Sequence, residues 1–136
     1  MIKGFAHVCL LAADLDAAER FYCNGLGLKK VFDFIRSDRV VGFYLELAPG
    51  TFIEIFQRDG VDAKAVSPIT HFCVEADDLD PVAKRLTENG YEATPKKLGA
   101  DNSWQFWTTD PGGVRIEFHQ YTAQSSQRTR KNCILK

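Results

Sequence analysis

The sequence lacks any long hydrophobic run. A membrane-spanning helix needs about 20 consecutive apolar residues, so no membrane span is expected. The first residues also lack the apolar segment of a secretory signal. Neither sign of charge is in excess, because 17 basic and 18 acidic residues leave a net charge of −1. We therefore expect neither nucleic acid nor an anionic membrane as a partner.

Cysteine is scarce, and its spacing does not indicate a structural metal site. The four cysteines lie at positions 9, 23, 73 and 133, without the paired C-x-x-C spacing of zinc ligands. Cys9 and Cys73 fall inside apolar stretches, where a free cysteine behaves as a small buried hydrophobe. We expect four reduced, mostly buried thiols, which is typical of a cytoplasmic protein.

The chain contains an internal repeat. His7–Leu10 is matched in the second half of the chain by His71–Val74, and Phe52–Gln57 is matched at nearly the same offset by Arg115–Gln120. The 136 residues, with 45% hydrophobic content, suffice for one domain. The repeat indicates that this domain consists of two modules of about 60 residues. Each module contributes one histidine and one glutamate.

Hydrophobic patterning predicts the same element order, βαβββ, in both modules. Asp14 and Asp78 are suitable helix N-caps, and each is followed by apolar residues at helical spacing. The predicted strands are 4–12, 28–36, 40–47 and 51–57, then 69–75, 91–97, 104–109 and 114–121. This order predicts an α+β fold. We expect a single domain over 1–124 (modules at about 4–57 and 68–121, linker 58–67), followed by a polar, mobile tail over 125–136.

Two histidines and two glutamates therefore occupy matched positions. A carboxylate on an inward strand face is costly unless its charge is compensated, and its recurrence suggests one compensating group for both. Imidazole and carboxylate together suit Zn, Ni, Co, Fe or Mn. The predicted ligands of one divalent ion are His7, Glu54, His71 and Glu117. Buried ion pairs within each module are the alternative interpretation.

The order of these four residues in two βαβββ modules resembles the vicinal oxygen chelate superfamily, which includes glyoxalase I. The turn Asp110-Pro111-Gly112-Gly113 before the last strand adds to the resemblance, which covers residues 4–121. The resemblance implies that the eight strands form a curved, mostly antiparallel cup around a divalent metal. It also implies proton removal next to a metal-chelated carbonyl. Glu117 is the expected base, with Glu54 as its partner on the opposite face.

We therefore expect a metal-dependent, glyoxalase-type lyase acting on a small carbonyl or hydroxy-carbonyl compound. Leu11 and Arg58 stand where similar bacterial glyoxalases carry their glutathione-contacting arginine and asparagine, so glutathione should not be required. One alternative is an isomerase similar to methylmalonyl-CoA epimerase, which Pro95 and Gly99-Ala100 favour. The other is a non-catalytic binder similar to the bleomycin resistance proteins, which usually lack the metal ligands.

Substrate-binding residues follow from strand alternation. His119 shares the Glu117 face and is expected to touch substrate or to hydrogen-bond a ligand. The strand 104–109 presents alternate residues to opposite faces, and alternation does not decide which set lines the site. The predicted substrate contacts are Phe52, Arg58, Trp104, Phe106, Arg115 and His119. The open edges of such a sheet need covering, so we also expect a homodimer, with modules paired within one chain or exchanged between two.

Overall fold

The computed structural model describes residues 4–62, 67 and 69–135. Contacts divide the chain into two compact units: Met1–Ala65 with Asp110–Val114, and Val66–Thr109 with Arg115–Lys136. Each unit contains one four-stranded sheet with one parallel and two antiparallel pairings. The predicted α+β class and the order βαβββ in both halves are confirmed. Among the described residues, no helix has the length and apolar character needed to cross a membrane.

The sheet of the first unit has the strand order β1-β4-β3-β2. Strands β1 and β4 run parallel, and the other neighbours are antiparallel. Because side chains alternate along a strand, residues 53 and 55 of β4 are buried while 52, 54 and 56 are half-buried. Glu54 therefore lies on the face opposite the buried core. The strands are β1 (His7–Ala12), β2 (Lys29–Arg36), β3 (Arg39–Ala48) and β4 (Thr51–Gln57).

Helix α1 (Leu15–Glu19) begins after Asp14, whose carboxylate accepts a hydrogen bond of 2.9 Å from the amide of Ala17. The helix continues as a π-helical turn over Arg20–Gly25. The wider turn carries two aromatic residues that are fully buried, Phe21 and Tyr22. Helix α1 also contacts β4. The burial of these rings, at about 1.5–3 kcal/mol each, holds the helical segment against the core side of the sheet.

The sheet of the second unit has the order β5-β8-β7-β6, with β5 and β8 parallel. Helix α2 (Leu79–Glu88) begins after Asp78, and its first amide, that of Leu79, donates to Gln120 Oε1 at 3.2 Å. Leu79 and Leu86 are fully buried. The strands are β5 (Phe72–Glu75), β6 (Lys97–Leu98), β7 (Trp104–Thr109) and β8 (Arg115–Gln120).

The predicted strand over 91–97 is wrong, because only Lys97–Leu98 pairs as β6. The segment before Lys97 stays beside β7 through hydrogen bonds of Thr94, one of them from its side chain. The hydroxyl of Thr94 accepts from the Trp107 amide at 2.8 Å, and the Thr94 amide donates to the Trp107 carbonyl at 2.9 Å. Pro95 then removes a backbone donor. A side-chain hydroxyl thus replaces one of the two backbone hydrogen bonds that a paired strand would make here.

The turn between β7 and β8 is fixed by Asp110, which belongs to the first unit by its contacts. Its carboxylate accepts hydrogen bonds from the Tyr22 hydroxyl at 2.8 Å and from the Val114 amide at 2.7 Å. Gly113 has φ of 88°, a conformation that favours glycine. A side chain at Gly112 would approach the Leu11 carbonyl to 3.1 Å. The Asp-Pro-Gly-Gly sequence therefore specifies this turn.

Part of the segment that was predicted to be a polar, mobile tail has regular structure. Ser126–Thr129 forms the short helix α3. Ser125 is fully buried, and its hydroxyl accepts a hydrogen bond of 2.8 Å from the Thr122 amide. Ser103 donates to the same hydroxyl at 3.0 Å. A buried hydrogen-bond network, which composition does not reveal, orders this segment. Of the predicted linker, residues 63–66 lie outside the described residues.

Candidate metal centre

The first unit places one imidazole beside one carboxylate. His7 is the first residue of β1, and Glu54 lies on the neighbouring parallel strand β4. His7 Nε2 is 3.6 Å from Glu54 Oε2. The side chains are 43% and 19% exposed, so as a bare ion pair they would contribute little stability. Tyr44 lies opposite Glu54 in the sheet, and its ring meets the His7 ring edge-on at 5.9 Å.

The second unit builds the same arrangement independently. His71 Nε2 is 3.3 Å from Glu117 Oε2, and Glu117 is the more buried of the two glutamates at 12% side-chain exposure. Trp107 lies opposite Glu117, and its ring meets His71 edge-on at 4.8 Å. The Thr70 hydroxyl lies 2.8 Å from Nδ1 of His71. That nitrogen therefore has a partner, while Nε2 faces the carboxylate.

The aromatic residue opposite each glutamate belongs to the repeat. Tyr44 and Trp107 occupy matching positions of the two modules, at the same offset as Glu54 and Glu117. Sequence reasoning did not assign either as a site residue. The matching offset in the repeat could have identified both residues. Each unit therefore presents an imidazole, a carboxylate and an aromatic ring on one sheet face.

A second imidazole lies against Glu117. His119 Nε2 is 3.0 Å from Glu117 Oε1, and Nδ1 is 3.9 Å from Asp101 Oδ2. The distance to Glu117 is short, but within the described part of the chain neither ring nitrogen makes a hydrogen bond of acceptable geometry. His119 is only 9% exposed. Buried polar groups without a hydrogen bond are rare in native proteins, so His119 is a candidate for contact with a ligand or an ion.

Asp101 is held in place beside His119. Its carboxylate accepts hydrogen bonds from Gln127 Nε2 at 2.6 Å and from the Ser103 hydroxyl at 2.9 Å. Burial raises the pKa of Asp101, but the hydrogen bonds from Gln127 and Ser103 and the nearby His119 outweigh it, so the pKa is lowered. This carboxylate is therefore ionised at neutral pH, and it lies on the Nδ1 side of the His119 ring.

The predicted burial of Cys9 and Cys73 is wrong, because both are exposed. Both cysteines lie on the glutamate faces of their sheets and not on the core faces. Cys9 is opposite Glu54 and Cys73 is opposite Glu117 in the parallel registers. Desolvation, followed by the charge of Glu117, raises the pKa of Cys73 to about 12, and desolvation with Glu54 raises that of Cys9. One ligand-type atom each of Cys73, Glu117 and His119 lie within 4.8 Å of one another.

Two of the predicted substrate contacts, Trp104 and Phe106, lie on the face of β7 away from Glu117. Phe106 is only 1% exposed and stacks on Phe118 at 4.8 Å, on the face of β7 opposite Glu117. Trp104 shares the Phe106 face by strand alternation. The β7 residues that share the Glu117 face are Gln105, Trp107 and Thr109. Strand alternation alone does not show which set of β7 side chains faces the site. The burial of the Phe106 face in the core decides it.

The remaining predicted contacts lie on the glutamate faces or beside them. Arg115 places its guanidinium carbon 4.4 Å from the ring centre of Trp107. Phe52 is half-buried and stacks on Tyr44 at 5.0 Å. Arg58 follows β4, and its amide donates to a β1 carbonyl at 3.0 Å.

Aromatic rings cover the Glu54 face of the first sheet. Phe32 stacks on Tyr44 at 4.8 Å, and Phe34 stacks on Phe56 at 4.5 Å. Gly42 leaves room for this packing, because a Cβ there would lie 2.8 Å from the Phe56 ring. The result is an aromatic surface that shares its sheet face with Glu54 and Glu46.

Comparison with known proteins identifies a family over most of the chain. The sequence model of the Glyoxalase/Bleomycin resistance protein/Dioxygenase superfamily matches residues 4–118. A glyoxylase/bleomycin resistance protein/dioxygenase domain from Frankia sp. EAN1pec is similar in structure, with a TM-score of 0.76, 23% identity and coverage of 90% of this chain and 100% of that one.

Two further solved structures have the same fold. Lactoylglutathione lyase from Agrobacterium tumefaciens has a TM-score of 0.67 and 24% identity, and covers 87% of this chain and 93% of its own. The fosfomycin resistance protein FosX from Mesorhizobium loti has a TM-score of 0.72 and 18% identity, with coverage of 96% and 100%. At such identities the likeness establishes the fold alone.

Proposed function

Because this chain belongs to the Glyoxalase/Bleomycin resistance protein/Dioxygenase superfamily, we propose that it is a metal-dependent, glyoxalase-type lyase. Its substrate is a small carbonyl or hydroxy-carbonyl compound, from which it removes a proton next to the carbonyl. The observation that supports this most is the repeated imidazole–carboxylate pair. The two pairs have Nε2–Oε2 distances of 3.6 Å and 3.3 Å.

The donor set of these pairs fits one divalent ion of the Zn, Ni, Co, Fe or Mn class. The ligands in this proposal are His7 and Glu54 from the first unit and His71 and Glu117 from the second. A divalent ion in such a site stabilises negative charge that develops on a substrate oxygen. The proposal leaves open whether the two pairs come from one chain or from two.

Glu117 is the base in this proposal. It is more buried than Glu54, and each of its oxygens lies near an imidazole, His71 on one side and His119 on the other. A carboxylate packed between two imidazole rings keeps a fixed position relative to the substrate. Glu54 is the partner on the opposite side. Loss of a general base typically removes a factor of about 10²–10⁴ in rate.

Arg115 and Trp107 supply substrate recognition on the Glu117 face. The guanidinium lies over the ring at 4.4 Å, and such stacking leaves its planar donors available for an anionic group. A carboxylate or another acidic group on the substrate is therefore favoured. Glutathione is not required, because Leu11 and Arg58 replace the residues that contact it in similar glyoxalases.

One experiment tests the proposal. Metal-loaded protein is incubated with candidate α-hydroxy-carbonyl and carbonyl acids in D₂O, and exchange of the substrate α-proton is followed by NMR. The proposal predicts exchange in the wild type and its loss in Glu117→Gln. Equal exchange in both proteins would show that Glu117 is at most a ligand.

The aromatic surface of the first sheet favours a second candidate, a non-catalytic binder of a flat apolar molecule. The stacked pairs Phe32–Tyr44 and Phe34–Phe56 resemble a platform for ring stacking. Saturable binding of an aromatic ligand without any exchange or turnover would favour this candidate over the lyase. The name of the superfamily includes bleomycin resistance proteins.

The proposal also includes a homodimer in the cytoplasm. The four free cysteines fit a reducing compartment. In the described part of the chain, β1, β2, β5 and β6 are edge strands with one neighbour each, and a dimer would cover some of these edges. Light scattering at micromolar concentration measures the mass, and a monomer there would remove this part of the proposal.

A further inference from the structure

We propose that the second unit contains a thiolate-bearing metal site formed by Cys73, Glu117 and His119. The site accepts a divalent cation with affinity for sulfur, such as Zn²⁺ or its spectroscopic probe Co²⁺. It shares Glu117 with the proposed catalytic centre but needs no residue of the first unit. The inference goes beyond the proposed function and does not depend on it.

Strand register brings the three ligands together. Cys73 lies directly opposite Glu117 in the parallel pairing of β5 and β8. His119 is two residues beyond Glu117, so strand alternation places it on the same face. One ligand-type atom of each residue lies within 4.8 Å of the other two. Sulfur, nitrogen and oxygen donors from one sheet face therefore converge on one point.

His119 provides the second, independent observation. It is 9% exposed, and in the described residues neither nitrogen of its ring makes a hydrogen bond. Nε2 faces Glu117 at 3.0 Å, while Nδ1 faces Asp101 at 3.9 Å. A metal-binding imidazole is usually oriented by a carboxylate beside the nitrogen that does not bind the metal, which here is Nδ1. Asp101 is fixed for that task by Ser103 and Gln127.

The first unit offers a matched comparison. Cys9 lies opposite Glu54 as Cys73 lies opposite Glu117. The position of the first module that matches His119 is Phe56, whose ring stacks on a neighbouring phenylalanine at 4.5 Å. The first unit therefore has the thiol and the carboxylate, but a phenylalanine stands at the position that matches His119. Among the described residues, this group of three possible ligands occurs in the second unit.

The geometry requires only a small adjustment. Bonds of about 2.0–2.3 Å to zinc place neighbouring ligand atoms about 3.4–3.6 Å apart in a tetrahedral site. Ligand atoms within 4.8 Å of one another therefore need to approach by about 1 Å. The Cys73 side chain is exposed and bonds weakly to the Val74 carbonyl, at 3.9 Å. On binding, the S–H bond breaks, the proton goes to solvent and the sulfur–metal bond forms.

The test uses Co²⁺, because sulfur coordination to cobalt gives a charge-transfer absorption that nitrogen and oxygen ligands do not give. The host is the full chain with His7→Ala and Glu54→Gln, which disables the first imidazole–carboxylate pair and leaves the second unit intact. We expect the sulfur band to saturate at one Co²⁺ per chain, and Zn²⁺ to abolish it. Adding Cys73→Ser should remove the band, whereas the matched change Cys9→Ser should leave it.

The variant His119→Gln tests the imidazole ligand in the same cobalt experiment. It should weaken cobalt binding by at least about tenfold, a loss already seen when outer partners of metal ligands are removed. Cobalt binding without a sulfur band, or a band that survives Cys73→Ser, would overturn the inference. Proton exchange by the wild type is measured separately. Loss of the sulfur site with normal exchange would therefore leave the proposed lyase intact, and the reverse result would count against the lyase alone.

Discussion

The hydrogen bond between Tyr22 and Asp110 allows a stability change to be worked out from the structure. The two side chains are 0% and 6% exposed, and the hydroxyl donates at 2.8 Å. Tyr22→Phe removes this donor and keeps the ring, which packs against Phe21 at 4.9 Å. A hydrogen bond to a charged group contributes about 1.5–3 kcal/mol. We expect the free energy of unfolding to fall by about that amount, with the Val114 amide still donating to the carboxylate.

The expected loss depends on pH in a definite direction. Burial raises the pKa of Asp110, and the hydrogen bonds from Val114 and Tyr22 lower it in part. A group whose folded pKa is raised contributes stability below its unfolded pKa of about 3.9, and that contribution is lost as pH rises through the folded pKa. Without the Tyr22 hydroxyl the pKa rises further. The cost of Tyr22→Phe is therefore largest when Asp110 is ionised and decreases as pH falls.

Urea unfolding at about pH 7 and about pH 4 measures both quantities, with the slope m expected to stay constant. The control is Tyr44→Phe, which removes a hydroxyl from a half-buried ring and should cost less than about 0.5 kcal/mol. A Tyr22→Phe cost as small as that of the control at neutral pH would refute the reasoning. So would a cost that does not change between the two pH values.

Three further predictions concern the site. Glu117→Gln should reduce α-proton exchange in D₂O by about 10²–10⁴; Glu54→Gln should cost less in a lyase, whereas equal losses would indicate an epimerase-like isomerase with two bases. The methylglyoxal–glutathione hemithioacetal should be a poor substrate, and a kcat/KM of about 10⁴ M⁻¹s⁻¹ or more would restore a glutathione-dependent activity. Phe106→Ala should destabilise the fold by about 3–5 kcal/mol, whereas Trp107→Ala should mainly raise KM; equal effects on KM would contradict the assignment of faces.

The repeat made much of this fold predictable. Histidines and glutamates at matched positions of the two modules located both imidazole–carboxylate pairs, because each pair joins neighbouring parallel strands. The Asp14 and Asp78 caps located both helices. These features depend on local sequence and on repetition, which are visible without coordinates.

Long-range register explains what the sequence could not provide. Cys73 looked like a buried thiol because its neighbours are apolar, but parallel pairing places it beside Glu117. Strand alternation did not show which face of β7 lines the site, and the burial of Phe106 excludes its face. The stretch around Thr94 looked like a strand, yet its hydroxyl replaces one of the two backbone hydrogen bonds that strand pairing would make. Each outcome depends on partners distant in sequence.

The central claim is that one divalent ion is held by an imidazole–carboxylate pair from each unit. Metal content measures it directly, with Cys73→Ser in every sample so that the thiol supplies no ligand. The account predicts one ion per two-pair site in that background, a loss of at least about tenfold in affinity on adding His71→Ala, and no change for the exposed control Lys84→Ala. Equal metal occupancy with and without His71→Ala would contradict the account.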